Sequence, residues 1–155
     1  MDCFRFTKKC SVLSAQCPVP SAEHKDLSSI IMAENKSYTE LEAWKKARGL
    51  VKHIYLCTQS FPKEELYALT SQIRRASISV PSNIAEGLGR NFEKETMQFL
   101  HIAKGSLYEV ETQIYLAYDL NYVNFENLND SLTKIEECRR LLAGLINYYR
   151  KKIGN

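Results

Sequence analysis

The chain has 155 residues, 45% hydrophobic and 25% charged, with six Gly and four Pro. These values describe one ordinary globular domain and exclude a disordered, collagen-like or multi-domain chain. No run approaches the roughly 18 to 20 consecutive apolar residues that a bilayer-spanning helix needs. The net charge of +3 permits contact with an acidic polymer but lies far below the excess of a dedicated nucleic-acid coat.

Residues 1–31 contain four basic and three acidic residues. Arg5, Lys8 and Lys9 precede a mildly apolar stretch, Cys10 to Cys17, but Ser11, Ser14 and Gln16 interrupt it, so it fails as the core of a signal peptide. Residues 1–31 are expected to be a poorly ordered extension or an upstream mis-start, with Met32 the natural start and 32–155 a single domain. Cys3, Cys10, Cys17, Cys57 and Cys138 are odd in number and form no Cys-x-x-Cys pair. They argue against a disulfide framework and for a reducing, cytoplasmic setting.

Four helical segments follow. Over 39–61, Leu41, Trp44, Ala47, Val51, Ile54 or Tyr55, and Thr58 recur in steps of three and four, the spacing of a helix with one buried face. Thr39 with Glu42 three residues on has the form of a capping box. Pro62 stops that helix, and a second is expected over 63–87, with Leu66, Leu69, Ile73, Ala76, Val80 and Ile84 inward and a kink near Pro81, where a backbone donor is missing. A third helix, 92–121, carries Phe92, Thr96, Phe99, Ala103, Ser106, Val110, Ile114 and Ala117 on one stripe. Gly105 and Ser106 are expected to let a neighbouring helix approach closely there. Asn124 or Asn127 opens the fourth, 125–152, with Leu128, Leu132, Ile135, Arg139, Leu142, Leu145 or Ile146, and Tyr149. With no convincing strand, the pattern predicts an all-α, antiparallel, up-down-up-down four-helix bundle. Tyr108, Tyr115, Tyr118, Tyr122, Tyr148 and Tyr149 add aromatic surface to the last two helices beyond the core stripe, as expected of a self-associating protein.

Catalytic and metal signatures are missing. A di-iron carboxylate bundle needs Glu-x-x-His on two helices, but Ser21, Leu50 and Gln98 stand three residues before His24, His53 and His101. His53 and Cys57, at i and i+4, make half a zinc site without a second pair. Gly87-Leu88-Gly89-Arg90 lacks the Lys-Ser/Thr end of a phosphate-binding loop and follows a helix, so a helix cap and tight turn are expected. The residues therefore predict no catalytic residue, metal or cofactor, and a non-enzymatic protein.

The most distinctive stretch is Gln72-Ile73-Arg74-Arg75-Ala76-Ser77-Ile78-Ser79-Val80-Pro81-Ser82-Asn83-Ile84-Ala85-Glu86-Gly87-Leu88-Gly89-Arg90. It resembles the signature of the four-helix-bundle proteins encoded in intervening sequences of bacterial 23S ribosomal RNA genes. The likeness extends to Tyr38-Thr39-Glu40-Leu41-Glu42-Ala43-Trp44, to Phe61-Pro62-Lys63-Glu64-Glu65-Leu66-Tyr67 and to the segment from Phe99 to Gln113, covering about Tyr38 to Lys152. The resemblance implies a bundle that assembles as a ring-like homopentamer with an electropositive region. It also implies binding of RNA or DNA, or an accessory role beside a reverse transcriptase in diversity-generating retroelements. The sequence departs from the family at Phe92, where a Ser usually caps the third helix; Asn91 is expected to take over.

Arg74 and Arg75 are adjacent, about 100° apart on a helix, so both cannot face the core. One is expected to pair with Glu86, Glu109 or Glu111, the other to reach solvent or a phosphate. Lys45, Lys46, Arg48 and Lys52 form a second cluster; Arg150, Lys151 and Lys152 complement the negative end of the fourth helix. The candidate nucleic-acid-binding residues are Arg74, Arg75, Arg90, Lys45, Lys46 and Arg48. Without a recognition-helix signature, binding is expected to be sequence-independent and to gain from repetition of the patch in an oligomer.

Overall fold

The structure, a computed structural model, describes residues 37–154. Met32, Cys3, Cys10, Cys17, His24 and the expected N-terminal extension lie outside the described residues. Four helices, α1 (Glu42–Cys57), α2 (Leu69–Leu88), α3 (Glu93–Asp119) and α4 (Phe125–Ile153), form an antiparallel bundle, and among the described residues there is no strand. Each helix packs on its two neighbours in the cyclic order α1, α2, α3, α4, with α2 and α3 in the most extensive contact. One continuous core runs through all four, including Leu50 and Ile54 from α1, Ile73, Val80 and Ile84 from α2, Leu107 and Ile114 from α3, and Ile135 and Leu142 from α4.

The first helix is shorter than its periodicity. Ser37 heads a 3-10 turn, Tyr38–Glu40, and its hydroxyl contacts the Thr39 hydroxyl at 2.8 Å. The expected capping box is absent: Leu41 occupies the N-cap position with no side-chain cap, and Glu42 turns instead to Lys45. The helix ends at Cys57, where the Thr58 hydroxyl donates back to the Ile54 carbonyl at 2.9 Å and a second 3-10 turn, Thr58–Ser60, begins. Beyond Pro62, residues Lys63–Tyr67 wind as 3-10 helix, so the second segment breaks at Ala68 and not near Pro81. Glu65 resolves that break. Its carboxylate accepts from the Leu69 amide at the start of α2, and its other oxygen accepts from the Tyr122 hydroxyl. Leu66, expected inside, is 48% exposed on this turn.

α2 then runs unbroken through Pro81. The ring removes a single donor from the ladder, and its burial supplies packing that offsets the loss. The expected close approach at Gly105 is also corrected: a Cβ there would meet nothing within 4 Å, whereas one on Gly87 would lie 2.9 Å from the Phe99 Cβ and 3.2 Å from the Thr96 carbonyl oxygen. Gly87 is thus the point where α2 and α3 nearly touch. Ser106 does face α2, donating to the Ser79 hydroxyl at 2.9 Å.

Phe92, expected on the inner stripe of α3, is 66% exposed. It is the N-cap residue, in extended conformation with no side-chain cap, so Asn91 does not take over the capping role. The other end of α3 closes two residues before the expected Asn121. Asn121 adopts φ 59°, a left-handed conformation that Asn tolerates better than most residues. The Tyr122 amide donates to the Ala117 carbonyl and the Asn121 amide to Tyr118, the paired bonds of a Schellman motif. α4 opens as expected, with the Asn124 side chain accepting from the Asn127 amide at 2.8 Å.

Candidate nucleic-acid interface

No Asp or Glu occurs between Glu42 and Glu64, nor between Glu65 and Glu86. Those acid-free runs contain nearly all of α1 and α2, which contribute Lys45, Lys46, Arg48, Lys52, Arg74 and Arg75. α3 is the opposite, with five acidic residues against Lys94 and Lys104. The near-neutral net charge therefore conceals a polarised surface, cationic over α1 and α2.

On α1, Lys45, Arg48 and Lys52 follow at i, i+3 and i+7 and share the outward face. Lys45 is held by Glu42 at 2.9 Å and Lys46 by Glu137 of α4 at 2.7 Å. Glu137 hydrogen-bonds the Lys46 ammonium and raises its pKa. These exposed pairs are weak and exchangeable. Arg48 has no ion pair among the described residues; its guanidinium lies 4.8 Å from the Trp44 ring centroid, and Tyr38 meets the same ring edge-on. Lys52 has no acidic partner among the described residues either.

On α2 the two arginines divide the work. Arg74 does not pair with Glu86, Glu109 or Glu111. Its Nε donates to the Thr58 hydroxyl at 2.8 Å, its Nη2 to the Thr58 carbonyl at 3.3 Å, and its guanidinium lies 4.7 Å from the Tyr55 centroid. A cation thereby closes the negative end of α1, where free carbonyls accumulate. Arg75 is exposed and has no ion pair among the described residues. Glu86 pairs with Arg90, which also covers the Phe99 ring at 4.6 Å, so Arg90 belongs to the α2–α3 turn, remote from Arg74 and Arg75. The amides of that turn are spent internally: Gly89 donates to Ala85 and Glu86, and Arg90 to Gly87. Glu111 is taken by Arg139 of α4 at 2.6 Å.

The structure thus leaves Arg48 and Lys52 of α1 and Arg75 of α2 exposed and without ion pairs among the described residues, pairs Lys45 with Glu42, uses Arg74 to tie α2 to the end of α1, and commits Lys46 and Arg90 to Glu137 and Glu86. Residue reading alone missed the partners of Arg74, because neither Thr58 nor Tyr55 carries a charge that advertises the contact. The acid-free runs were the available signal for the face itself.

Across the bundle, His53 of α1 meets Ser131 and Asp130 of α4 and Cys57 of its own helix. Ser131 is fully buried and its hydroxyl donates to the Asn127 carbonyl at 2.6 Å. Burial raises the pKa of Cys57, and pushes that of Cys138 up to about 11. Among the described residues no group of three or more His, Cys, Asp or Glu could hold a metal ion, and no helix is long and apolar enough to cross a membrane.

A four-helix bundle with a cationic α1–α2 face is the class this chain defines. The family model for the 23S rRNA-intervening sequence protein matches residues 39–144, and the chain belongs to that family. The fold is similar to that of a protein of unknown function from the S23 ribosomal protein family of Bacteroides thetaiotaomicron, with a TM-score of 0.62 and 21% identity over 68% of this chain and 95% of that one. No curated protein matches.

Proposed function

We propose that this is a non-enzymatic, homo-oligomeric bundle that binds structured RNA or DNA through phosphate contacts, without sequence preference. The observation that carries the reading is the pair of acid-free runs through α1 and α2, where Arg48, Lys52 and Arg75 stand without carboxylate partners among the described residues. Arg48 is laid on an aromatic ring, a planar donor held ready for a phosphate oxygen with less side-chain freedom left to lose. Phosphate contacts position a protein on nucleic acid but carry no sequence information. Three such cations give modest affinity alone, so the reading includes assembly into a ring, the homopentamer implied by family resemblance, in which the face is repeated. A cytoplasmic location completes it.

A protein–protein adaptor, for example for a reverse transcriptase, is the second reading. It is favoured by the apolar exposure along α3, where Tyr108, Tyr115, Leu116 and Leu120 are each between 45% and 51% exposed. Fluorescence anisotropy of the full chain with a labelled RNA hairpin and an equal-length DNA duplex distinguishes the two. Three phosphate contacts predict an affinity loss of about 40-fold between 50 and 200 mM salt for each protomer engaged. Absence of binding at 50 mM salt removes the nucleic-acid reading and leaves the adaptor.

A further inference from the structure

The cationic stripe of α1 begins in an aromatic cluster at the N-terminal end of the helix. Trp44 packs against the core and is the sole tryptophan of the chain. Tyr38, in the 3-10 turn ahead of α1, meets its ring edge-on with centroids 5.2 Å apart, and the Arg48 guanidinium lies over the same ring, 4.8 Å from its centroid. Trp44 serves the bundle by covering the core, but the two groups resting on it face water. Tyr38 is 41% exposed, and Arg48 is exposed without an ion pair among the described residues. Lys52 follows one turn beyond Arg48 and is exposed as well.

The two ends of this row differ in charge. Glu40 and Glu42 flank the aromatic end, and although Lys45 holds Glu42 at 2.9 Å, no cation pairs with Glu40 among the described residues. A phosphate is therefore disfavoured beside Tyr38 and favoured beside Arg48 and Lys52. Aromatic surface where phosphate is repelled, joined to cations where it is attracted, receives a nucleotide by its base and its backbone together.

We propose that Tyr38, Trp44 and Arg48 form a stacking platform for unpaired bases, so that the nucleic acid held by α1 is a single strand, loop or bulge and not a continuous duplex. The inference rests on the phosphate-binding reading above and names the class of strand that reading leaves open.

Bases within a duplex spend their faces on one another and leave a protein only edges and phosphates, whereas an unpaired base offers its whole face. The Arg48 guanidinium is planar. With one side over the indole, its other side can carry a base while the N–H groups at its rim reach a phosphate oxygen. The Tyr38 ring supplies a second surface one step along the row. Because every base has a π-face, the platform adds affinity without adding sequence preference.

The test uses the full chain at about 50 mM salt with a labelled, unstructured oligouridine and a labelled RNA duplex of equal length. Anisotropy reads affinity, and the emission of Trp44 reads stacking. The oligouridine is expected to bind more tightly than the duplex, although it carries half the phosphates, and to quench Trp44. Tyr38→Leu keeps the apolar cover on Trp44 and Arg48→Lys keeps the charge; each should weaken oligouridine binding about fivefold or more and leave duplex binding within about twofold. Duplex binding as tight as that of the oligouridine, or a Trp44 emission that saturating oligouridine leaves unchanged, overturns the platform and leaves the phosphate-binding reading standing. No binding of either RNA removes both. Because the comparison of the two RNAs needs no substitution, it decides the question even where a variant does not fold.

Discussion

At the scale of single residues, the glycines and the paired arginines separate positions that look alike in sequence. Gly87 sits where an added methyl meets the Phe99 Cβ at 2.9 Å, while Gly105 faces open space. Gly87→Ala should cost about 1 to 3 kcal/mol through overpacking. Gly105→Ala should stabilise by up to about 1 kcal/mol, since it adds helix propensity at no steric cost. Urea denaturation of the two variants checks both signs. The arginines divide similarly. Arg74→Ala leaves the end of α1 without its guanidinium donors and is expected to destabilise by about 1 to 2 kcal/mol. Arg75→Ala, which breaks no contact in the fold, should change stability by less than about 0.5 kcal/mol while weakening nucleic-acid binding.

At the scale of elements, α3 is acidic and apolar on its outside and is held to α4 by Arg139. That side chain donates to Glu111, pairs with Glu136 at 2.8 Å and lies 5.3 Å from the Tyr108 ring centroid. Its pKa is raised, although desolvation, the largest single influence, acts the other way; the Glu111 hydrogen bond and the two carboxylate charges outweigh it. The exposed Tyr115 and Leu116 beside this clamp are the element's surplus. For the proposed oligomer, Tyr115→Lys with Leu116→Lys should preserve helicity by circular dichroism and lower the mass by light scattering; an unchanged mass would remove α3 from the proposed assembly surface. The existence of all four helices and most of their buried stripes was legible, because Ile73, Val80, Ile84, Val110, Ile114, Ile135 and Leu142 recur at an unambiguous helical period. Helix ends were not. Thr39 and Glu42 satisfied a capping pattern, yet Thr39 contacts Ser37 and Glu42 pairs with Lys45. The acidic run before Leu66 looked like a first helical turn, but Glu65 instead reaches forward to cap α2 from outside. Pro81 gave the opposite error, since a missing donor is visible in sequence whereas the buried surroundings of its ring are not.

At the scale of the whole molecule, charge is distributed rather than abundant. The net +3 conceals helices of opposite sign, with α1, α2 and α4 each more basic than acidic and α3 more acidic than basic, and only the folded order of helices makes that separation spatial. Arg74, Lys46 and Arg90 were reasonable candidates by charge, and the fold assigns each a local partner; Arg48, Lys52 and Arg75 remain available. Repetition around an oligomer would bring these modest patches to an extended polymer together. The most direct measurement is the affinity of the full chain for an RNA hairpin at 50 mM salt, compared with that of the triple variant Arg48→Gln, Lys52→Gln, Arg75→Gln at matched oligomer mass and helicity. The account predicts binding that the triple variant loses by at least about tenfold, with a shallower salt dependence. Equal affinity and equal salt slope in the two proteins would contradict it.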